Sequence, residues 1–453
     1  MFATILRHAR PPSRLARGLA AQSLLFALGQ GTFMTGSAVF FTKIVGLSAA
    51  QVGLGLTFAG IAAFLAALPM GTLVDRFGPK RMWAVSAIGQ AAMFAVWPFI
   101  HDFKGYVAMA VGMEVIGALG GAAHGAYTIG ALPPDERVKS RAYMYSALNV
   151  GFTLGSLIGG VALAFHSNNV LHAVPWFTAV VFLVNAAAIN RLPRAAHDNR
   201  TRDDRKVKIA GPGPLRNVGW LLTMFFSGVF WTNQVLLNIV IPLWLVEETD
   251  APRVLLAFLF GTNTVMCIFL PMVAARGVED VPTALRAVRV SSAFFVVSCV
   301  ITLATHDTVG WVTIALVWLG HVTVTGAELY LSAATWSFEA ELMDPRQRGA
   351  YQGAAELTGT LGRVWAPAVY TFLAMNWGAV GWLVIAGIVV VATFAIHPST
   401  RLARRFLEQH VPADVLADAR ASGPQPEEGV APGPPSLINT DEPVPQSPVG
   451  PVR

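Results

Sequence analysis

Twelve long apolar stretches follow one another along the 453 residues, and most charged residues lie between them. Lipid offers no hydrogen-bond partners to the main chain, so a spanning stretch of about 20 apolar residues folds as a helix across the roughly 30 Å hydrocarbon core. The pattern predicts an all-α integral membrane protein with twelve transmembrane helices. The stretches are 19–42, 49–73, 82–101, 105–131, 142–165, 172–190, 217–245, 253–275, 284–305, 309–335, 349–374 and 377–396.

The overall composition indicates the same class of protein. Only 13% of the residues are charged and 54% are hydrophobic, whereas about a quarter of the residues in soluble domains are charged. The first apolar stretch follows four arginines, as in a secretory signal, but it is longer than the roughly 7–15 residues of such a signal. We expect it to be retained as the first helix.

Lysine and arginine are distributed unevenly between alternate loops. If the N-terminus lies inside, the outer loops contain only Lys43, Lys104 and Arg253, and the inner segments contain most of the other cations. Positively charged loops stay on the cytoplasmic side. This bias predicts a multi-pass protein of the cell membrane with both termini in the cytoplasm. It also explains the net charge of +6, so nucleic acid is not an expected partner.

A basic loop and an internal repeat divide the chain into two halves. Residues 1–18 precede the first bundle of six helices, 19–190, and the linker 191–216 separates it from the second bundle, 217–396. Aligning Arg141 with Arg348 brings Thr153-Leu154-Gly155 onto Thr360-Leu361-Gly362. Two related halves predict a pseudo-symmetric transporter with its site between them.

The residues after the second bundle have a different composition. Residues 397–453 are rich in proline, glycine and glutamate. Such a segment contains too little apolar surface to offset the conformational entropy lost on folding. We expect a disordered cytoplasmic tail.

The loop after the second stretch contains a motif, G-x-x-x-D-R-x-G-x-K-R, that resembles the signature of the major facilitator superfamily. Together with the two halves, the resemblance covers about 19–396. It implies that this loop latches the cytoplasmic ends of the two halves in an outward-facing state, through Asp75 and Arg76. The motif residues are Gly71, Asp75, Arg76, Gly78, Lys80 and Arg81.

The fifth stretch contains a second glycine pattern. It is similar to the G-x-x-x-G-P-x-x-G-G motif of the twelve-helix drug-proton antiporters, except that a serine replaces the proline. The alternative is a stripe of small residues for close helix packing, because three of the glycines recur every four residues. The residues of this motif are Gly151, Gly155, Ser156, Gly159 and Gly160.

Ionisable residues inside the stretches are candidates for proton coupling, because charges in hydrocarbon are costly. Glu114 lies about nine residues into the fourth stretch, roughly 13 Å deep, where the family usually has an arginine. Burial favours the protonated carboxyl, as a reversible proton carrier requires; a structural hydrogen bond is the alternative. His321 and Glu328 share a face of the tenth helix, and Glu356 is a further candidate.

Several polar and aromatic side chains are candidates for binding a substrate. Arg363 lies seven residues after Glu356, on the same face, and requires a nearby anion. Amides and aromatic rings that face a central cavity can bind a polar ligand, although helix–helix hydrogen bonding is the alternative for each. The predicted substrate-binding residues are Gln30, Glu114, Trp231, Gln234, Asn238, His321 and Arg363.

These features predict a secondary transporter that exports a small organic or drug-like compound in exchange for protons, by alternating access. A proton-coupled importer of a sugar or organic acid, and a membrane scaffold or sensor without transport activity, are the alternatives. The sequence contains no phosphate-binding loop, clustered metal ligands or nucleophile elbow. We therefore expect no enzyme activity, metal or cofactor, the proton gradient as the energy source, and a monomer in the bilayer.

Overall fold

A computed structural model describes residues 11–165, 167–194 and 211–421, and the described residues form helices without a strand. The all-α prediction is therefore confirmed. The helices of the first half are α1 (Arg14–Val39), α2 (Ala49–Phe77), α3 (Pro79–Val96), α4 (Phe103–Ala131), α5 (Arg137–Ala164) and α6 (Asn168–Arg191). Those that follow are α7 (Val218–Phe230), α8 (Asn233–Val235), α9 (Ile241–Glu247), α10 (Leu255–Phe269), α11 (Pro271–Ala274), α12 (Val281–Ala304), α13 (Trp311–Glu341), α14 (Arg348–Arg363), α15 (Ala366–His410) and α16 (Ala413–Ala421).

Within the described ranges, ten helical stretches are long and apolar enough to cross a membrane, against twelve from the sequence. The difference has two sources. The apolar helix α10 has only 15 residues. In addition, α14 and α15 together form one stretch of 63 residues, although Gly378, with φ of 49°, interrupts the helical backbone inside it.

The chain remains helical beyond the predicted second bundle. The segment from 397 was expected to be disordered, yet α15 continues to His410 and α16 follows it. Ala403, Leu407 and Val411 are buried against the core of the second half, and this burial stabilises the extension. Residues 422–453, the rest of the predicted tail, lie outside the described part, as do 1–10 and the linker residues 195–210.

The glycines of α5 pack this helix closely against α1. A Cβ atom on Gly151 or Gly155 would overlap the main chain of Leu24 or Leu28, and one on Gly159 would lie 2.5 Å from the carbonyl oxygen of Thr32. Gly160 has no neighbour within 4 Å. The spacing therefore permits close helix packing within the first half, and the similarity to the antiporter motif stays a prediction.

The two halves meet along two lines of helices. On one side α2 and α4 of the first half contact α14, and on the other α5 contacts α10, α11 and α13. The contacts gather at the end of the bundle that carries the turn between α2 and α3 and the start of α14. We call this the closed end.

Candidate functional site

A cavity of about 530 Å³ lies at the interface between the halves, next to the closed end. Residues of α2, α4, α13 and α14 and the end of α7 form its walls. Small side chains, including Gly117, Ala118 and Gly121 of α4, leave space in the wall. The charged and large aromatic lining residues are Phe64, Glu114, Trp231, Glu339, Glu356 and Arg363.

Glu114 faces this cavity from α4 as an exposed side chain. It makes no hydrogen bond or ion pair with any residue that the structure describes. The sequence placed Glu114 at mid-depth of the membrane, where a buried carboxylate with a helix–helix partner was the alternative. The structure shows an open carboxylate instead, in contact with the space where a ligand or water would lie.

Glu356 and Arg363 form an ion pair on the cavity wall that α14 provides. The Nη2 atom of Arg363 lies 2.7 Å from the Oε1 atom of Glu356, and it also donates to Thr360 Oγ1 at 3.1 Å. The side chain of Glu356 is 63% exposed and that of Arg363 is 40% exposed. Their spacing of seven residues places them two turns apart on α14, so the shared face seen in the sequence is also a shared cavity wall.

The other predicted substrate-binding residues are distributed differently. Trp231 lines the cavity, but Gln30, Gln234, Asn238 and His321 are not among its lining residues. His321 is only 2% exposed. The amide of Asn238 donates to the carbonyl oxygen of Gln234 at 2.9 Å, an intrahelical bond. Glu114, Trp231, Glu356 and Arg363 therefore all line this cavity. The remaining predicted residues lie outside its lining: Gln30, Gln234, Asn238 and His321.

Asp75 connects the two halves at the closed end. Its Oδ1 and Oδ2 atoms accept hydrogen bonds from the main-chain N–H groups of Gly349 and Ala350, each at 2.7 Å. These N–H groups belong to the first turn of α14, where the helix dipole also favours a negative charge. Asp75 is 8% exposed. Gly71 lies against Gly349 so closely that a Cβ atom on either residue would overlap the other main chain.

The remaining motif residues have other partners. Gly78 has φ of 93°, which suits glycine and permits the sharp turn into α3. Arg76 is exposed above the ring of Phe77, 5.3 Å from its centroid, and forms no ion pair or hydrogen bond to the second half within the described ranges. Lys80 donates to the carbonyl oxygens of Asn190 and Leu192 at the end of α6.

Two further contacts between the halves lie between α5 and α13. Arg141 forms an ion pair with Glu339, and Gln352 Nε2 donates to the same carboxylate at 3.3 Å. Tyr145 donates its hydroxyl hydrogen to Oε1 of Glu328. The sequence did not indicate Tyr145, and Arg141 appeared only as a repeat position. Residues that pair across the two halves are far apart in the sequence, so the spacing of neighbouring residues does not indicate such a pair.

Glu328 occupies a buried polar cluster away from the cavity lining. Its carboxylate is held from both halves, by Tyr145 of α5 and by Asn263 Nδ2 of α10 at 3.3 Å, and Cys267 Sγ lies 3.8 Å from it. The residue is 4% exposed. It was singled out as a candidate for proton coupling, and the structure shows it as a contact that joins the two halves.

The helices, the two halves and the cavity between them define a multi-pass membrane protein with a transporter architecture. The family model described as "Major Facilitator Superfamily" matches residues 19–367. The chain belongs to this family, and it is therefore a transporter that carries a small-molecule substrate and not an enzyme. The resemblance inferred from the motif is confirmed.

Individual relatives share limited sequence with the chain. It is 24% identical over 390 residues to a Na⁺, Li⁺, K⁺/H⁺ antiporter of Planococcus maritimus, covering 79% of this chain and 88% of the relative. It is 23% identical over 362 residues to the class C tetracycline resistance protein of Escherichia coli, covering 77% and 87%. Among solved structures, a bacterial homologue of the iron transporter ferroportin in an outward-facing state has a TM-score of 0.65 at 12% identity, covering 87% of this chain and 99% of that one.

Proposed function

We propose that this protein is a proton-coupled antiporter that exports a small organic or drug-like compound, as a monomer in the cell membrane, by alternating access. No cofactor is required, since the proton gradient supplies the free energy. The cavity residue Glu114 carries the proposal. It is a carboxylate with no hydrogen-bond or ion-pair partner among the described residues, and it faces the cavity between the two halves.

The proposed topology has twelve spanning helices. Counting α10 with α11 as one span, and dividing the last stretch at Gly378, adds two spans to the ten long stretches. The closed end carries Arg76, Arg81 and Arg346 and the helix α16. The positive-inside rule then places the closed end and both termini in the cytoplasm, so the cavity is accessible from outside in this state.

The charges of the cavity support exchange of a cationic or neutral compound against protons. Three carboxylates and one guanidinium line it. Glu339 is paired with Arg141, and Glu356 with Arg363. Glu114 remains, and a proton and a positively charged group on the substrate would compete for this carboxylate. Such competition produces exchange when the carrier changes conformation only with a proton or a substrate bound, because the two ligands then cross in opposite directions in turn.

The cavity surroundings suit a compound with an apolar part. Trp231 and Phe64 line the same space as Glu114, and an aromatic face beside a carboxylate can bind an organic cation. The names of the two relatives agree with exchange and with drug resistance, since one is called an antiporter and the other a tetracycline resistance protein. The scaffold alternative does not account for an open carboxylate in an interfacial cavity.

Transport in proteoliposomes tests the proposal with two probes, tetraphenylphosphonium and tetracycline. With an acidic lumen, an antiporter accumulates the probe as protons leave. With an alkaline lumen, a symporter accumulates it as protons enter, so the two gradients separate export from the nutrient-import alternative. Exchange of labelled for unlabelled probe at equal pH measures movement without coupling.

The variant Glu114→Gln isolates the proposed carboxylate. We expect it to lose accumulation against the gradient and to retain exchange at equal pH with weaker probe binding. Glu279→Gln, an exposed residue outside the cavity, serves as the control and should behave like wild type. If Glu114→Gln accumulates probe at the wild-type rate, coupling resides at another residue. If wild type accumulates neither probe under either gradient, the proposed export of drug-like compounds is wrong.

A further inference from the structure

A second cavity, of about 540 Å³, lies on the outer surface of the first half between the start of α3 and the end of α6. We call it the α3–α6 groove. It lies apart from the interfacial cavity, since the two have no lining residue in common. Its lining residues are Phe77, Lys80, Arg81, Ala84, Val85, Ile88, Asn190 and Arg194.

One end of this groove is strongly positive. Lys80, Arg81 and Arg194 line it, and no lining residue is acidic. Arg81 and Arg194 are exposed, and neither forms an ion pair or hydrogen bond with a residue in the described ranges. Their guanidinium groups therefore keep all their donors available for an anion. Arginine binds phosphate through two parallel hydrogen bonds, which makes a phosphate a suitable ligand here.

The other end of the groove is apolar. Val85 and Ile88 are each 48% exposed and lie four and seven residues after Arg81, on the same face of α3. The apolar surface therefore starts about 6 Å along the helix from the cation and continues to about 10 Å. In a multi-pass membrane protein, an exposed apolar surface at this depth meets lipid acyl chains.

We propose that the α3–α6 groove binds one anionic phospholipid, with its phosphate between Arg81 and Arg194 and its acyl chains along Val85 and Ile88. Basic pockets between spanning helices at the cytoplasmic side suit such headgroups, and the leaflet follows from the topology proposed above. A free phosphate would satisfy the cations but not the apolar wall. The assignment adds a role for Arg81, which does not take part in the Asp75 latch.

The position of the groove also defines what this lipid does. Both walls belong to the first half, so a lipid that joins α3 to α6 contacts the same half whether the closed end is shut or open. A ligand with equal affinity for two conformations shifts neither of them. We therefore expect the lipid to raise thermal stability and to leave the coupling of transport unchanged.

The test uses the full chain purified in a mild detergent, so it depends on neither transport nor orientation. Dioleoylphosphatidylglycerol or dioleoylphosphatidylcholine is titrated into wild type, into Arg81→Gln/Arg194→Gln and into the charge-keeping Arg81→Lys/Arg194→Lys. Thermal unfolding and native mass spectrometry report stabilisation and bound lipid. The matched control is Arg286→Gln/Arg289→Gln, which removes two exposed cations from α12, the counterpart of α3 in the second half.

We expect phosphatidylglycerol to bind and stabilise wild type more than phosphatidylcholine does. Removal of each arginine should weaken this binding on the order of fivefold. The Lys variant and the α12 control should keep most of it. Equal effects of the two lipids on wild type, or equal loss in the α12 control, would overturn the proposal. If inorganic phosphate or glycerol 3-phosphate stabilised wild type as much as phosphatidylglycerol, a soluble anion would be the ligand.

Discussion

The closed end and the cavity beside it contain the same kinds of charged residue in opposite situations. Asp75 at the closed end, Glu339 on the cavity wall and Glu328 in the buried polar cluster each accept a hydrogen bond or ion pair from the other half. In the cavity, Glu114 has no partner among the described residues, and Glu356 pairs within its own helix. Residue type therefore does not separate the two groups of carboxylates, but the origin of each partner does.

This difference assigns the two groups of carboxylates different tasks. A contact between the halves exists in one conformation and is lost in the other, so it changes the balance between the two conformations. A carboxylate without such a contact leaves that balance unchanged and remains available to a proton or a ligand. We expect substitutions of carboxylates that contact the other half to alter the conformational equilibrium, and substitutions of Glu114 and Glu356 to alter binding and coupling.

The largest effect is expected from Asp75→Asn. The amide retains one acceptor oxygen but loses the charge that both main-chain N–H groups of α14 contact. Hydrogen bonds to charged groups contribute about 1.5–3 kcal/mol, so the closed state should lose on the order of tenfold to a hundredfold in relative population. Turnover per molecule should fall strongly at nearly normal abundance in the membrane, and both quantities are measured together.

The matched control is the corresponding loop of the second half, which ends in Asp280. Hydrogen bonds from Thr283 hold the pKa of Asp280 below its usual range. This carboxylate caps α12, with Oδ1 accepting from the Thr283 N–H at 2.9 Å. Asp280→Asn should reduce stability slightly, because Asn is also a good N-cap, and leave turnover unchanged. Equal loss of turnover in both variants would remove the distinction between a contact across the halves and a local cap.

The two loops show how much the sequence predicted. The motif indicated where this loop meets the other half, because its glycines and turn are local features, and Asp75 does contact α14; its role as a latch stays a prediction. It did not show that Arg76 forms no ion pair or hydrogen bond with the described part of the second half, or that Gly349 and Ala350 supply the donors to Asp75. The Arg141–Glu339 pair was missed, since residues 198 positions apart come together only after the halves dock.

The cavity was predicted less completely than the fold. Shared helical faces identified the Glu356–Arg363 pair correctly, because two turns of one helix suffice to place it. Gln234, Asn238 and His321 were predicted as substrate-binding residues only because they are polar side chains within apolar stretches. Asn238 lies in the π-helical turn Leu236–Val240 and His321 is 2% exposed, and both the helical irregularity and the burial are consequences of tertiary packing.

A smaller effect is expected from Tyr145→Phe, which removes the hydrogen bond to Glu328 between the halves. A typical hydrogen bond contributes about 1 kcal/mol, so the conformational equilibrium should move about fivefold towards the open form. The change is measured as spin-label distances across the closed end, in wild type and in the variant.

Two further variants sharpen this result. Tyr330→Phe is the matched control, since this residue of α13 stacks on Phe294 and its hydroxyl has no hydrogen bond in the described ranges. It should leave the distances unchanged. The double variant Glu328→Gln/Tyr145→Phe should change the spin-label distances by less than the sum of the two single changes. Strict additivity would mean that Tyr145 and Glu328 do not act as a contact between the halves.

The smallest effect is expected from the cavity pair. Because Arg363 and Glu356 are 40% and 63% exposed, their coupling in a double-mutant cycle of thermal unfolding should be only about 0.2–1 kcal/mol. Arg363→Ala, Glu356→Gln and the double variant should also leave the spin-label distances at the closed end unchanged, since both residues belong to α14. Arg363→Lys, which keeps the charge, is the control for the loss of the cation.

These variants should change the concentration of tetraphenylphosphonium at which exchange is half-maximal. Arg363→Ala frees the carboxylate of Glu356 and should strengthen binding of this cation, whereas Glu356→Gln should weaken it. A coupling energy between Arg363 and Glu356 well above about 2 kcal/mol, or a change in the spin-label distances at the closed end, would contradict this. The pair would then affect the conformational equilibrium in the same way as the contacts between the halves. The origin of the partner would then not separate carboxylates that hold the conformation from carboxylates that meet the substrate.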